Sequence, residues 1–186
     1  MIHIRPLDGL DPADLLRLIT GYVSDARYRV SKTETGEHLA LTLDLVHLPQ
    51  PYVKHYEQPD AETLKHYLQV PRHGLSLGAY DAGGLCVGIA LTEPRAWNQS
   101  LWVLEFHVAE THRGRGTGLR LMEALVLKAR GARLRTIVCE TQNTNAPAIR
   151  FYRKAGFRIE GLDLSYYSND DFPDGEVAVF MKKRLT

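Results

Sequence analysis

Residues 110–122 read Glu-Thr-His-Arg-Gly-Arg-Gly-Thr-Gly-Leu-Arg-Leu-Met, a turn with three alternate glycines between a strand-like run and an amphipathic helix-like run. This is anion-binding architecture. Gly114, Gly116 and Gly118 lack the Cβ that would keep a diphosphate from the backbone, and Thr117 lies among them at the expected helix start. The first N–H groups of a helix have no partner within it and carry the positive end of its dipole. Arg113 and Arg115 add full charges. Two other glycine motifs are excluded: no lysine stands where a P-loop needs Gly-Lys-Ser/Thr, and Leu119 stands where a GxGxxG fingerprint needs its third glycine. By itself the turn is either a diphosphate cradle or a connection with no ligand.

A second group lies just upstream. In a strand over Leu101–Val108, Leu104, Phe106 and Val108 share one face, which puts Glu105 and His107 together on the other. A carboxylate among apolar neighbours is costly unless used or paired. Glu105 is therefore a candidate general base acting through water, or one half of a structural ion pair. An imidazole's intrinsic pKa suits proton transfer, so His107 is a candidate catalytic group, or it is simply hydrogen-bonded.

Bulk properties restrict the partners. The chain has 186 residues, 44% hydrophobic and 24% charged, enough for one domain with a sizeable core. With 23 Lys plus Arg against 22 Asp plus Glu the net charge is +1, so any basic site must be local. Neither nucleic acid nor an anionic membrane is expected. No apolar run approaches the roughly 20 residues that span a bilayer, and MIHIRPLDGL lacks the apolar core of a secretory peptide, so a cytoplasmic protein is expected. Cys86 and Cys139 sit in apolar runs, as buried thiols would. No His or Cys spacing suggests a metal.

The elements that must position these groups follow from period and punctuation. Met1–Arg5 reads as a strand. Asp11 caps a helix with Pro12 in its first turn and Leu15, Leu16, Leu18, Ile19 and Tyr22 along one face. Residues 28–57 form the longest structure-poor stretch despite the alternating Leu39-Ala40-Leu41-Thr42-Leu43, and a helix follows Pro59. From Gly74 to Ala109 a three-strand meander turns at Asp81–Gly84 and Trp97–Ser100. A helix over 116–129, a strand over 134–140, a helix over 146–155 and strands near 157–164 and 176–183 complete an α+β order with a mixed sheet.

Two motifs together carry a resemblance. Arg113-x-x-Gly116-x-Gly118 resembles the R/Q-x-x-G-x-G/A signature of the GNAT superfamily of N-acetyltransferases. Asn145-Ala-Pro-Ala-Ile-Arg-Phe-Tyr-Arg-Lys-Ala-Gly-Phe157 resembles its second hallmark helix and strand. Ala148, Phe151, Tyr152 and Ala155 fall on one side of that helix, with Gly156 at its end. The resemblance implies one GNAT domain over residues 1–186, a central, largely antiparallel mixed sheet flanked by helices, and acetyl-CoA as co-substrate with no metal. It implies that amides of Gly114–Gly118, with Arg113, Arg115 and Thr117, clasp the pyrophosphate, and that pantetheine pairs at Val108. It also implies that Tyr152 meets the coenzyme sulfur and protonates the departing thiolate, the other reading being a packed core tyrosine. Asn145 caps its helix and, by the same resemblance, touches the coenzyme.

Glu140-Thr-Gln-Asn-Thr-Asn-Ala-Pro-Ala148, Gly161-Leu-Asp-Leu-Ser-Tyr-Tyr167, Glu176-Val-Ala-Val-Phe180 and Pro51-Tyr-Val-Lys-His-Tyr-Glu57 are most similar to streptothricin acetyltransferases. The chain departs from them in its Phe-Met-Lys-Lys ending and in the acidic turn at 170–175. What this implies is acetylation of a small-molecule primary amine, as in streptothricin resistance. The acceptor arrives as a cation, so Glu140, Asp163 and Asp170-Asp171 are candidates to recruit it, against a plain solvated acidic loop. Trp97 and Tyr167, with Tyr52, Tyr56 and Tyr166, are candidates to line its pocket or else to pack. Acetylation of a protein or metabolite amine, and a non-catalytic acetyl-CoA-binding module, remain the alternatives, and a homodimer stays open.

Overall fold

The structure, a computed structural model, describes residues 1–185. Along the chain run β1 (His3–Pro6), α1 (Pro12–Leu18), β2 (Gly21–Glu34), β3 (Leu39–His55) and α2 (Ala61–Gln69). Then come β4 (Leu77–Tyr80), β5 (Cys86–Arg95), β6 (Ser100–Val108), α3 (Thr117–Gly131) and β7 (Thr136–Gln142). The last are α4 (Ala146–Lys154), β8 (Arg158–Asp163) and β9 (Ala178–Arg184). They fold as two compact units, one of Met1–Thr20, Tyr56–Cys139 and the residues from Lys182 onward, the other of Gly21–His55 and Glu140–Met181. No helix of the described residues is long and apolar enough to cross a membrane.

In the first unit β1, β4, β5 and β6 pair antiparallel, and β6 then pairs parallel with β7, a mixed sheet as the element order implies. Asp11 caps α1 through the Ala13 N–H, with Pro12 in the first turn. The core gathers Leu7, Leu10, Leu15, Leu18, Ile19, Val70, Cys86, Ile89 and Leu91. Leu64, Tyr67 and Leu68 of α2 press on it from one helical stripe. α3 buries Leu121, Met122, Leu125, Val126 and Ala129 at spacings of three and four and packs on β4 and β5.

The second unit corrects two expectations. Tyr22 is not on the first helix, which stops at Leu18, but in β2. Residues 28–57 are not structure-poor: β2 and β3 form a long antiparallel hairpin closed by the Thr35 N–H to His38 carbonyl bond of 2.8 Å. The inward positions of β2 are Tyr22, Ser24, Ala26, Tyr28 and Val30, all buried, and one of the five, Ser24, is polar. Pro49 and Pro51 in β3 further disguise a strand. Asn143 knits this unit: its main chain and side chain accept from Tyr28 and Val177 N–H groups and donate to the Val177 and Tyr28 carbonyls.

Candidate active site

β6 ends at Val108, one turn of 3₁₀ helix follows over Glu110–His112, and the chain then bends through Gly114 (φ 70°) and Gly116 (φ 83°) into α3. Both glycines hold the left-handed conformation that other residues adopt at a cost, which is why the turn alternates them. A Cβ at either would meet nothing within 4 Å, so the space beside each glycine is open. The first bond of the α3 ladder runs from Arg120 N–H to the Gly116 carbonyl at 3.0 Å, leaving the amides of Thr117, Gly118 and Leu119 outside it. Gly118 lies inside the first helical turn, with ordinary helical backbone.

The arginines divide their work. Arg113 donates from Nε to the Val108 carbonyl at 2.9 Å and from Nη2 to Thr20 Oγ1 at 3.2 Å, closing the turn on the strand that feeds it. Arg115 is exposed at the turn's apex.

β6 carries a bulge at Leu104. Leu91 opposes Glu105 while its neighbour Thr92 opposes Val103, so one residue of β6 has no counterpart on β5. Adjacent residues of β5 lie on opposite faces, hence Glu105 and Val103 do as well. The bulge thus turns Glu105 away from the face of the buried Val103, while Leu104 packs against the core. The parallel ladder with β7 covers Ser100–Val103, and Leu104–Val108 extend beyond it. Ala109 donates to the Val87 carbonyl at 2.9 Å, which makes Gly88–Val108 the non-bonded pair and directs the Val108 N–H away from β5.

Glu105 and His107 do share a face, and they touch. His107 Nε2 lies 2.5 Å from Glu105 Oε2, and the Tyr67 hydroxyl of α2 donates to Glu105 Oε1 at 2.8 Å. The Tyr56 ring meets His107 edge-on, centroids 6.1 Å apart. Both side chains are mostly enclosed. Tyr67 was invisible to sequence reasoning because 38 residues separate it from Glu105 and its helix reads as plain amphipathic packing.

In the second unit Asn145 caps α4 through the Ala148 N–H at 3.1 Å. The buried stripe of α4 is Ala146, Ile149 and Tyr152, with Ala148, Phe151 and Ala155 only half-buried, so the face is rotated from the one the motif spacing implied. Gly156 (φ 89°) closes the helix with Gly156 N–H to Arg153 and Phe157 N–H to Tyr152 carbonyl bonds, a Schellman end. That end fixes the Tyr152 ring between Phe151 and Phe157, centroids at 5.3 and 5.5 Å.

The candidate acceptor residues of this unit are partly brought together. The Tyr167 hydroxyl donates to Glu140 Oε1. Although Tyr167 is 41% exposed, removal of its hydroxyl from water and then the Glu140 charge hold the phenol protonated far above its ordinary range. Asp163 accepts from the Ser165 N–H. Asp171 is buried and accepts from the Tyr167 N–H and the Ser168 hydroxyl, both at 2.7 Å, so it shapes the turn. In the first unit Trp97 stands 84% exposed on the turn before β6.

Glu176 gathers four donors in the second unit. Lys54 donates to its Oε2 at 2.6 Å, and Thr144, Tyr22 and Tyr52 reach Oε1 at 2.7, 3.2 and 3.2 Å. Burial alone would raise its pKa; the donors from Lys54 and Thr144, the Lys54 charge and the Tyr22 hydroxyl outweigh it and hold the carboxyl below its usual range. Burial, then the Glu176 charge, pushes the Tyr52 phenol up. Tyr52, Lys54, Thr144 and Glu176 all lie in segments that resemble the streptothricin acetyltransferases, but their meeting depends on the β2–β3 hairpin.

Residues 42–157 match the model of the Acetyltransferase (GNAT) family. The chain is 39% identical over 103 residues to a streptothricin acetyltransferase of Streptomyces lavendulae, covering 55% of this chain and 54% of that one. It is 30% identical over 132 residues to streptothricin acetyltransferase A of Bacillus subtilis, covering 70% and 72%. The chain thus spans about half the length of the first relative, 54%, and nearly three quarters of the second, 72%. The solved structure of a nourseothricin acetyltransferase superposes with a TM-score of 0.76 at 30% identity, covering 100% of this chain and 99% of that one.

Proposed function

Because the chain belongs to the Acetyltransferase (GNAT) family, we propose that it transfers the acetyl group of acetyl-CoA to a primary amine of a streptothricin-like small molecule. The observation that carries this is the open turn at the mouth of α3, where left-handed Gly114 and Gly116 precede amides that lie outside the helix ladder. Those amides, with Arg115, suit the coenzyme's diphosphate; the Val108 N–H, directed away from β5, suits pantetheine. Asn145 remains a proposed coenzyme contact beside its capping role.

The chemistry assigns three roles. The acceptor arrives as an ammonium, and Glu105, acting through water beside His107, takes its proton. The freed amine attacks the thioester carbonyl; the C–N bond forms, the C–S bond breaks, Tyr152 gives its phenolic proton to the departing thiolate, and the proton shed by the new amide nitrogen passes through water to restore the phenol. Glu140, Tyr167, Asp163 and Trp97 are proposed to hold the cationic acceptor. The 39% identity to the Streptomyces enzyme favours streptothricin over a protein or metabolite amine. Incubating the protein with acetyl-CoA and streptothricin should release coenzyme A thiol in step with acetylated product. Coenzyme binding without thiol release would leave only a binding module, and rapid release with other amines but not streptothricin would overturn the acceptor class.

A further inference from the structure

The geometry points to Tyr67 as a positioning residue of the reaction, its hydroxyl and the His107 imidazole holding one oxygen each of the Glu105 carboxylate. This rests on the reading of Glu105 as the base. Tyr67 occupies Oε1 at 2.8 Å and His107 occupies Oε2 at 2.5 Å, from two different elements. Each carboxylate oxygen has about two acceptor sites, so one per oxygen is left for the water or amine to be deprotonated.

A carboxylate held at both oxygens does not rotate, and α2 makes that hold rigid. Tyr67 shares the apolar stripe of Leu64 and Leu68 on the core, so its ring is anchored by packing while its hydroxyl emerges at β6. The helix itself is fixed at its start by Asp60, which accepts from the Thr63 N–H at 2.7 Å. The bulge at Leu104 supplies the matching half by turning Glu105 toward that hydroxyl. The titratable groups around the carboxylate are thus Tyr67, His107 and, against the His107 ring, Tyr56; the Tyr67 ring in turn meets His66, which lies 3.9 Å from Glu93. Tyr67 gives up no proton in the reaction; the ammonium proton goes to Glu105, and the phenol stays intact as donor.

A phenol that donates to a carboxylate favours its charged form. Tyr67→Phe keeps the packed ring and deletes the donor. It should lower kcat by about tenfold and leave the acetyl-CoA KM unchanged. The carbon-13 carboxyl resonance of Glu105, identified by its loss in Glu105→Gln, should change position at fixed pH in Tyr67→Phe as the hydrogen bond is lost, a readout that needs no turnover. Should that variant fold poorly, Tyr67→Met retains an apolar body without the hydroxyl and is read the same way. An unmoved resonance and unchanged kcat in Tyr67→Phe, together with lost turnover in Glu105→Gln, overturn the positioning role alone. Full turnover in Glu105→Gln overturns the base on which it rests.

Discussion

Arg113 Nε donates to the Val108 carbonyl oxygen at 2.9 Å, so a guanidinium that the sequence offers to a diphosphate already holds the turn against its strand. Its neighbour Arg115 is exposed in the same turn. The two substitutions should therefore separate. Arg113→Ala should lower the melting temperature of the ligand-free protein, by about 1 kcal/mol in stability, and weaken acetyl-CoA binding by loosening the cradle. Arg115→Ala should leave melting unchanged and weaken binding by about 1–3 kcal/mol, less at high salt. Melting curves and calorimetric titration at two ionic strengths measure both; equal melting temperatures would remove the clamp.

At Gly116 the backbone, not space, is the constraint. φ is 83° and an added Cβ meets nothing within 4 Å. Gly116→Ala should cost about 1–2 kcal/mol in stability from the left-handed conformation alone. On the proposed mode of coenzyme binding the added methyl also crowds the diphosphate, so affinity for acetyl-CoA should fall beyond what the same strain costs elsewhere. Gly74→Ala, with φ 71° and equal room but far along the chain from the turn, is the control in the same binding and unfolding experiments.

How much of this was legible follows the range of the signals. The turn at 113–118, the Asp11 and Asn145 caps and the Schellman end at Gly156 are local, and each lies where the residue types require. Glu105 and His107 were placed together because strand alternation reaches two residues. What depends on pairing across distance was not readable. The β2–β3 hairpin hides behind Ser24 on its inner face and Pro49 and Pro51 in β3, and with it the meeting of Glu176 and Lys54, 122 residues apart. The bulge at Leu104 leaves no mark in composition, since either neighbour could have been the extra residue.

Tyr152 is buried between Phe151 and Phe157, and its ring packs whether or not its hydroxyl acts. Tyr152→Phe should therefore leave the unfolding midpoint within about 1 kcal/mol and acetyl-CoA affinity nearly unchanged. If the phenol protonates the thiolate, kcat should drop by about 10²-fold or more. Single-turnover thiol release at saturating acetyl-CoA isolates that step, and an unaltered rate would return Tyr152 to the core.

The Glu176 cluster makes stability depend on acid in a defined direction. Lys54, Thr144 and Tyr22 hold the folded carboxyl below its unfolded pKa of about 4.3. A group shifted down stabilises the fold fully above that unfolded value, and the contribution fades as pH falls through the lower, folded pKa. Glu176→Gln keeps the shape and removes the charge from Lys54 and its companions, so at neutral pH it should cost about 1–2 kcal/mol. Because the variant has no proton to bind there, its deficit should shrink steadily as pH drops below about 4. Urea unfolding of both proteins over that range measures the gap; a deficit equally large at neutral and acid pH would mean that the carboxylate charge is not what binds Lys54, Tyr22 and Thr144 together.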